Sequence, residues 1–303
     1  MRKVFHDPVL QKQFDKDGYV CLPFISPEKV EILKQAFFDT LPKSGGQLGA
    51  DDVKNGHTIT YDFTFIDKNP EYKKLVFDII VKEFEKEYSN ILDNYKPIIA
   101  NFIRKKTDGG EVPLHQNWAF VEETKYTSVS IWCPLVDSTI ENGTLQVVPG
   151  SHKRFGLQRG PKVPWELEGI KNEIINDYLI PLETKAGDCV ILDDSIIHYT
   201  AINKTPGLRL TIQLILIPAD TYSLHYDLKS SNDKEVNVLE VDHNFYMQFN
   251  PWMEPGNVKT IRKEKFEFKP MSTADFEARM KEPKIDETTG LFAKIKKLFL
   301  AEA

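Results

Sequence analysis

The stretch AGDCVILDDSIIHYT, residues 186–200, contains a turn, an apolar run typical of a strand, and a histidine. Gly187 and Asp188 mark the turn, and the residues from there to Leu192 are rich in β-forming types. On both sides the chain continues as further short β-rich runs separated by turn residues, at 98–103, 128–135, 143–148, 180–183 and 208–217. Many short strands without long helices between them predict a sandwich, a jelly roll or a barrel.

Helices are predicted on the N-terminal side of the β-rich part. Ser26-Pro27-Glu28 supplies a capping hydroxyl, a proline at the first helical position and an acid in the first turn. Asn69-Pro70-Glu71 begins a second helix by the same logic, with apolar residues near helical spacing over 72–92. Between the two helices, residues 43–62 contain four glycines and predict a mobile loop.

The chain after Pro218 is polar and less periodic. Ser272 with Asp275 three residues later predicts one helix N-terminus. Residues 291–300, LFAKIKKLFL, form a basic amphipathic segment that we expect to pack on its own domain, with a membrane surface or a partner protein as the alternatives. The sequence thus predicts an N-terminal helical part (1–94), a β core (95–221) and a C-terminal extension (222–303).

Composition excludes several classes of protein. A net charge of -6 and a pI near 5.7 argue against general nucleic-acid binding, which needs a basic face. Cys21, Cys133 and Cys189 form no C-x-x-C pair, so we expect reduced, buried thiols. The first residues lack the apolar core of a signal peptide, and no apolar run reaches the roughly 18 residues of a membrane span. These features favour a cytoplasmic location.

Two histidines have unusual neighbours. His115 lies in PLHQNW, ahead of a β-run, and His198 directly follows one. A histidine considered alone is more often packed or exposed than a metal ligand. The flanking sequence favours metal ligands for these two histidines. ENGTLQVVPGSH spans residues 141–152, SIWCPL surrounds Trp132, and Asn203 and Arg209 follow His198.

This ordered set of motifs resembles the phytanoyl-CoA dioxygenase family, over about residues 95–217, with a weaker similarity in FDKDGYVCLPF near the N-terminus. The resemblance implies a mainly β fold with helices, whose core is a double-stranded β-helix, the cupin-like jelly roll. It also implies an Fe(II)- and 2-oxoglutarate-dependent oxygenase that consumes O2. The chain departs from the family at one position, because HQN at 115–117 stands where the family has H-Q-D.

The resemblance assigns roles to six residues. His115, Asn117 and His198 would hold the iron by one face, with Asn117 in the place of the carboxylate. Arg209 would bind the distal carboxylate of 2-oxoglutarate in a bidentate fork. Thr200 would supply a hydroxyl that binds the same carboxylate, and Trp132 would form an aromatic wall of the pocket.

Other polar residues near these motifs receive structural interpretations. We expect His152 to lie in a turn beside the site. Asp193 and Asp194 lie on the approach to His198, where we expect a solvated strand edge, with orientation of the ligands as the alternative. Four basic residues follow in the loop after His152, and they either meet an anionic substrate or form a solvated face: Lys153, Arg154, Arg159 and Lys162.

The most favoured function is hydroxylation of a small molecule with release of succinate and CO2. Asn117 leaves two alternatives open. A halogenase of this fold carries a small Gly or Ala at the carboxylate position, which Asn117 does not match. A non-catalytic relative that binds metal weakly is compatible with the missing carboxylate, although His115, His198, Thr200 and Arg209 are retained. The sequence does not identify the substrate or the oligomeric state.

Overall fold

The computed structural model describes residues 2–46 and 61–284. Most of the predicted glycine-rich loop and the whole amphipathic segment 291–300 lie outside these residues. Within them, none of the helices has the length and apolarity needed to cross a membrane.

The chain forms six α-helices and thirteen strands in the described ranges. The helices are α1 (Pro8–Asp17), α2 (Pro27–Thr40), α3 (Pro70–Ile91), α4 (Lys171–Asp177), α5 (His243–Gln248) and α6 (Thr273–Lys281). The first seven strands are β1 (Tyr19–Pro23), β2 (Asp62–Phe63), β3 (Tyr95–Lys105), β4 (Val112–His115), β5 (Val129–Pro134), β6 (Leu145–Val147) and β7 (Ile180–Pro181). The others are β8 (Asp188–Asp193), β9 (His198–Thr200), β10 (Arg209–Pro218), β11 (Ser223–Asp227), β12 (Glu235–Val241) and β13 (Thr260–Lys265).

Strands β3 to β10 build a double-stranded β-helix. They alternate between a large sheet in the order β1-β8-β5-β10-β3-β2 and a second sheet in the order β4-β9-β6-β7. All pairings within both sheets are antiparallel. One buried cluster joins the two sheets: Trp132, Leu145, Val147, Leu182, Val190, Leu192 and Ile196. The predicted fold class, with its jelly-roll core, is confirmed.

The N-terminal helices cover the outer face of the large sheet. The side chain of Ser26 accepts the Lys29 amide at 3.3 Å, and that of Asn69 accepts the Glu71 amide at 3.0 Å, so both predicted helix starts are confirmed. Helix α3 buries one stripe at four-residue spacing in the same core cluster as the sheet: Tyr72, Val76, Ile80, Phe84 and Tyr88.

Several elements differ from the sequence-based prediction. The N-terminal part is not helical throughout, because β1 pairs with β8 and β2 pairs with β3 at opposite edges of the large sheet. The C-terminal extension contains a third sheet, β11-β12-β13, although its last strand, TIRKEK, lacks apolar alternation. Cys133 and Cys189 are buried and free as expected, whereas Cys21 is exposed. The division at residues 94 and 221 stays a prediction.

Candidate active site

His115 and His198 lie opposite each other in the smaller sheet. His115 ends β4, His198 begins β9, and the two residues are paired in the antiparallel register. Their ring centroids are 4.1 Å apart. In each ring Nδ1 contacts a backbone carbonyl, that of Pro113 at 2.7 Å and that of Ile196 at 2.9 Å. Each Nδ1 therefore donates, and each Nε2 keeps its lone pair for a ligand.

Both imidazoles are suited to metal binding by their protonation state. Burial lowers the pKa of His115, and burial together with the neighbouring His115 ring lowers the pKa of His198 well below its usual value. The rings are therefore neutral at pH 7. A neutral imidazole coordinates a metal without first losing a proton.

Asn117 lies two residues beyond the end of β4, so it does not share a strand with His115. Its Nδ2 donates to Asp194 Oδ1 at 2.8 Å and to Ser130 Oγ at 3.1 Å. Its backbone carbonyl accepts from Arg159 Nε at 2.7 Å. The amide nitrogen is thus engaged by Asp194 and Ser130, and the amide lines the same cavity as the two histidines.

Asp193 and Asp194 do not form a solvated edge, which corrects the sequence-based expectation. Both are buried. Asp193 Oδ1 accepts from the backbone amide of Ser195 at 2.8 Å and from its hydroxyl at 2.6 Å, which shapes the turn between β8 and β9. Asp194 Oδ1 accepts from Asn117 and from Ser130 Oγ, the latter at 2.6 Å. Burial raises the pKa of Asp194 to about 7.

Arg209, at the start of β10, is the largest fully buried side chain in the described part of the molecule. Its guanidinium lies 5.5 Å from the centre of the Trp132 ring. Burial lowers its pKa to about 9, so it stays charged at pH 7. Nε and Nη1 have no hydrogen-bond partner among the described residues. A buried cation with two free donors is costly by itself and fits an anionic ligand such as a carboxylate.

Thr200, at the end of β9, is oriented by a lysine that sequence reasoning missed. Lys105 Nζ donates to Thr200 Oγ1 at 2.6 Å and to the carbonyl of Ala201 at 2.6 Å. Because Oγ1 accepts this bond, the hydroxyl proton of Thr200 is free to donate to another group. Lys105 is paired with Arg209 across β3 and β10. No motif marked Lys105, since it only ends a β-run.

These residues line one cavity of about 180 Å³ between the two sheets. His115, Asn117 and His198 share it with Thr200, Arg209 and Trp132, so the fold brings all six predicted site residues together. The rest of the lining is mainly apolar and aromatic, and includes Tyr61, Phe63, Phe65, Trp118, Phe120 and Pro251.

His152 and the basic loop lie outside this lining. His152 is buried with Nε2 at 2.8 Å from Lys284 Nζ, and its ring packs against Gly18. Lys153 and Arg159 are buried rather than solvated, and Arg159 forms a bidentate ion pair with Glu123 at 2.6 and 2.9 Å. Lys162 pairs with Glu254. The structure therefore gives no support for an anionic substrate held by this loop.

The side chains at this site suit a divalent metal, except that the amide of Asn117 stands in place of a carboxylate ligand. Among the residues that the structure describes, no three His, Cys, Asp or Glu side chains are placed to hold a metal. Two neutral imidazoles and an amide oxygen do converge, and an amide oxygen is a weaker ligand than a carboxylate for a hard cation. The free donors of Arg209 beside these ligands fit the carboxylate of an organic acid.

The model of the phytanoyl-CoA dioxygenase family matches residues 14–211. The chain belongs to this family.

Curated relatives in the phytanoyl-CoA dioxygenase family match about half of the chain. A phytanoyl-CoA dioxygenase domain-containing protein 1 homolog from Dictyostelium discoideum is 33% identical over 162 residues, which cover 51% of this chain and 57% of that protein. Phytanoyl-CoA dioxygenase 1 from Oryza sativa subsp. japonica is 32% identical, covering 50% and 54%. The peroxisomal human phytanoyl-CoA dioxygenase is 28% identical, covering 48% and 46%. The matches thus span about half the length of these relatives.

Solved structures have the same fold. The epimerase SnoN in complex with Fe3+, α-ketoglutarate and nogalamycin RO has a TM-score of 0.52 at 17% identity, covering 88% of this chain and 97% of SnoN. The α-ketoglutarate-dependent carbocyclase SnoK has a TM-score of 0.51 at 17% identity, covering 72% and 86%. At this identity the likeness concerns the fold.

Proposed function

We propose that this member of the phytanoyl-CoA dioxygenase family is an Fe(II)- and 2-oxoglutarate-dependent oxygenase. His115, His198 and the Asn117 amide oxygen would hold the iron, and Arg209 with Thr200 would bind the distal carboxylate of 2-oxoglutarate. Bound iron would supply the activation of O2. In the hydroxylation that we propose, substrate C–H, 2-oxoglutarate and O2 yield substrate C–OH, succinate and CO2.

The free donors of Arg209 are the observation that carries this proposal. Nε and Nη1 are buried without a partner in the described residues, on a side chain that lines the same cavity as the two histidines. Leaving a buried charge uncompensated costs on the order of several kcal/mol. A carboxylate bound by the guanidinium would remove that cost, and the hydroxyl of Thr200 would add a further donor.

The rest of the cavity favours a substrate with an apolar body. Trp118 and Phe65 meet edge to face at 5.6 Å, and Phe63 lies 5.9 Å from Phe65, so rings surround the open side of the site. The neutral polar pair in the lining is Asn101 and Gln213, joined by a hydrogen bond of 3.2 Å. We therefore propose a neutral small molecule with an apolar ring or chain. The free cysteines fit a reducing compartment such as the cytoplasm.

Succinate release tests this function. We expect purified protein with Fe(II), ascorbate, 2-oxoglutarate and air to form succinate, and formation should rise with an accepted member of a panel of neutral apolar compounds. His198→Ala, the matched control, should form none. Succinate formation that is the same in this variant and the parent would contradict the proposal.

A non-catalytic binding protein is the second candidate, and Asn117 is the observation that favours it. This candidate predicts that the chain binds 2-oxoglutarate and a divalent metal without forming succinate under air. The same panel, followed by a binding measurement on the silent protein, separates the two candidates.

A further inference from the structure

Asp194 is a buried carboxylate without an ion-pair partner among the described residues, and it touches Asn117, which stands where the family has a carboxylate. It is 0% exposed, and its Oδ1 lies 2.8 Å from Asn117 Nδ2. The hydroxyl of Ser130 donates to the same oxygen at 2.6 Å and contacts Asn117 Nδ2 at 3.1 Å. The three side chains form a closed triangle behind the amide.

This triangle fixes which end of the amide faces the histidines. An amide turned by 180° would place its oxygen against the Asp194 carboxylate, and two acceptors repel each other at that distance. The observed orientation instead gives a charge-assisted N–H to carboxylate bond, which is roughly twice as strong as a neutral one. Asp194 therefore holds the amide nitrogen and turns the amide oxygen away from itself, in the cavity that His115 and His198 also line.

The hydrogen bond from Asn117 to Asp194 also brings a negative charge close to the position where the carboxylate ligand is missing. A carboxylate that accepts from an amide N–H increases the electron density on the amide oxygen, as outer carboxylates do for metal-bound imidazoles. With its pKa raised to about 7 by burial, Asp194 is only partly ionised in the unliganded chain, and a divalent ion on the far side of the amide would be its counter-charge.

We propose that Asp194 is a positioning residue that supplies, through the Asn117 amide, the negative charge that a carboxylate ligand would place directly on the iron. This inference rests on the proposed function. It also explains why Asn117 occurs together with a buried acid. The negative charge lies on Asp194, which contacts the ligand, instead of on the ligand itself.

A four-member cycle of variants tests the inference by the affinity for Co(II), measured by anaerobic calorimetry with saturating 2-oxoglutarate. Asp194→Asn should weaken Co(II) binding at least tenfold, because the amide loses its anionic partner. Asn117→Asp alone places two carboxylates within hydrogen-bonding distance, where they share a proton that the metal must displace, so affinity should rise at most slightly. The exchanged pair N117D/D194N should bind Co(II) at least as tightly as the parent.

Asp193→Asn is the matched control, because Asp193 is an equally buried neighbour that bonds Ser195 instead of Asn117. Its Co(II) affinity should stay within threefold of the parent, and circular dichroism melting should give a folded protein for every variant. A rescue by the exchanged pair is a readout that a purely structural role for Asp194 would not produce.

Distinct outcomes overturn the inference and the proposed function. If Asp194→Asn binds Co(II) within threefold of the parent, or if N117D/D194N binds no more tightly than Asp194→Asn, the inference fails and the oxygenase proposal stands. An equal loss in Asp193→Asn also overturns it, because the effect would then not pass through the amide. A parent that binds no Co(II) with 2-oxoglutarate present overturns both.

Discussion

Arg209 illustrates at the scale of single residues how a buried charge points to a ligand. The resemblance to the family identified it, and the structure adds that its Nε and Nη1 are buried without a hydrogen-bond partner in the described part of the chain. Asp194 is the opposite case. Its position in ILDDS predicted an exposed edge, because only the tertiary contact with Asn117 reveals its role.

Arg209→Met should abolish 2-oxoglutarate binding without lowering the stability of the unliganded protein. The variant removes a bidentate donor pair, which is expected to weaken binding at least a hundredfold, about 3 kcal/mol. Replacing an unpaired buried charge by an apolar side chain of similar length is often neutral or stabilising. Calorimetry with Mn(II) and 2-oxoglutarate measures the first effect, and thermal melting the second.

Arg262→Met is the control, because Arg262 is paired with Glu122 and Glu264 and does not line the cavity. Its affinity for 2-oxoglutarate should equal that of the parent. Undiminished binding in Arg209→Met would show that the carboxylate pocket is assigned wrongly.

Thr200→Val tests the hydroxyl that Lys105 orients. Valine keeps the shape of threonine and removes both the donor to the ligand and the acceptor at 2.6 Å from Lys105 Nζ. We expect about tenfold weaker binding of 2-oxoglutarate and an unchanged affinity for Mn(II) alone. The pair of titrations separates the two effects, and an equal loss of Mn(II) binding would contradict the assignment of Thr200 to the co-substrate.

At the scale of elements, the short strands β4 and β9 bring the two histidines together. Sequence patterns predicted six of the core strands because each lies in a run of β-forming residues, but no strand was predicted at β4 or β9. The motif around each histidine predicted their proximity. The register in which His115 faces His198 became visible only in the sheet.

Gly143→Ala should disturb β9, because Gly143 lies in the turn that precedes β6, the strand paired with β9. Gly143 has φ +76°, and a Cβ built there would lie 2.1 Å from the carbonyl oxygen of Ala201, directly after β9. The backbone has to move, so we expect a loss of about 3 kcal/mol or more in the free energy of unfolding, with weaker binding of 2-oxoglutarate. Urea unfolding and calorimetry measure the two quantities.

Gly256→Ala separates the strain of positive φ from the clash. Gly256 has φ +70° and open space around the added Cβ, so its loss should be limited to about 1 kcal/mol. If both variants lose the same stability, contact with β9 does not explain the need for glycine at position 143.

At the scale of the whole molecule, the chain is a jelly roll that buries a polar site between its sheets. Composition and run length predicted a compact β protein, and the motifs of the phytanoyl-CoA dioxygenase family predicted which of the possible β folds it is. Strand β13 was not predictable because it carries mostly charged residues, whereas the alternating valines of β12 are a strand pattern that the sequence analysis did not use. Their burial depends on packing against loops that are distant in sequence.

Binding at the site should stabilise the whole fold. A ligand that binds only the folded state at one hundred times its Kd adds about 2.7 kcal/mol to the free energy of unfolding. For a chain of this size that corresponds to a rise in Tm of about 5 °C. Thermal melting with Mn(II) plus 2-oxoglutarate should reproduce this rise, and Arg209→Met should lose the part that depends on 2-oxoglutarate. Succinate in place of 2-oxoglutarate controls for a general effect of carboxylates.

The most direct test of the central claim is an anaerobic calorimetric titration of Fe(II) into protein saturated with 2-oxoglutarate, carried out on the parent, His115→Ala and His198→Ala. We predict that the parent binds one Fe(II) per chain and that neither histidine variant binds it, because each loses one of only two imidazole ligands. Fe(II) binding of equal affinity in either histidine variant, or no binding in the parent, would contradict the proposed site.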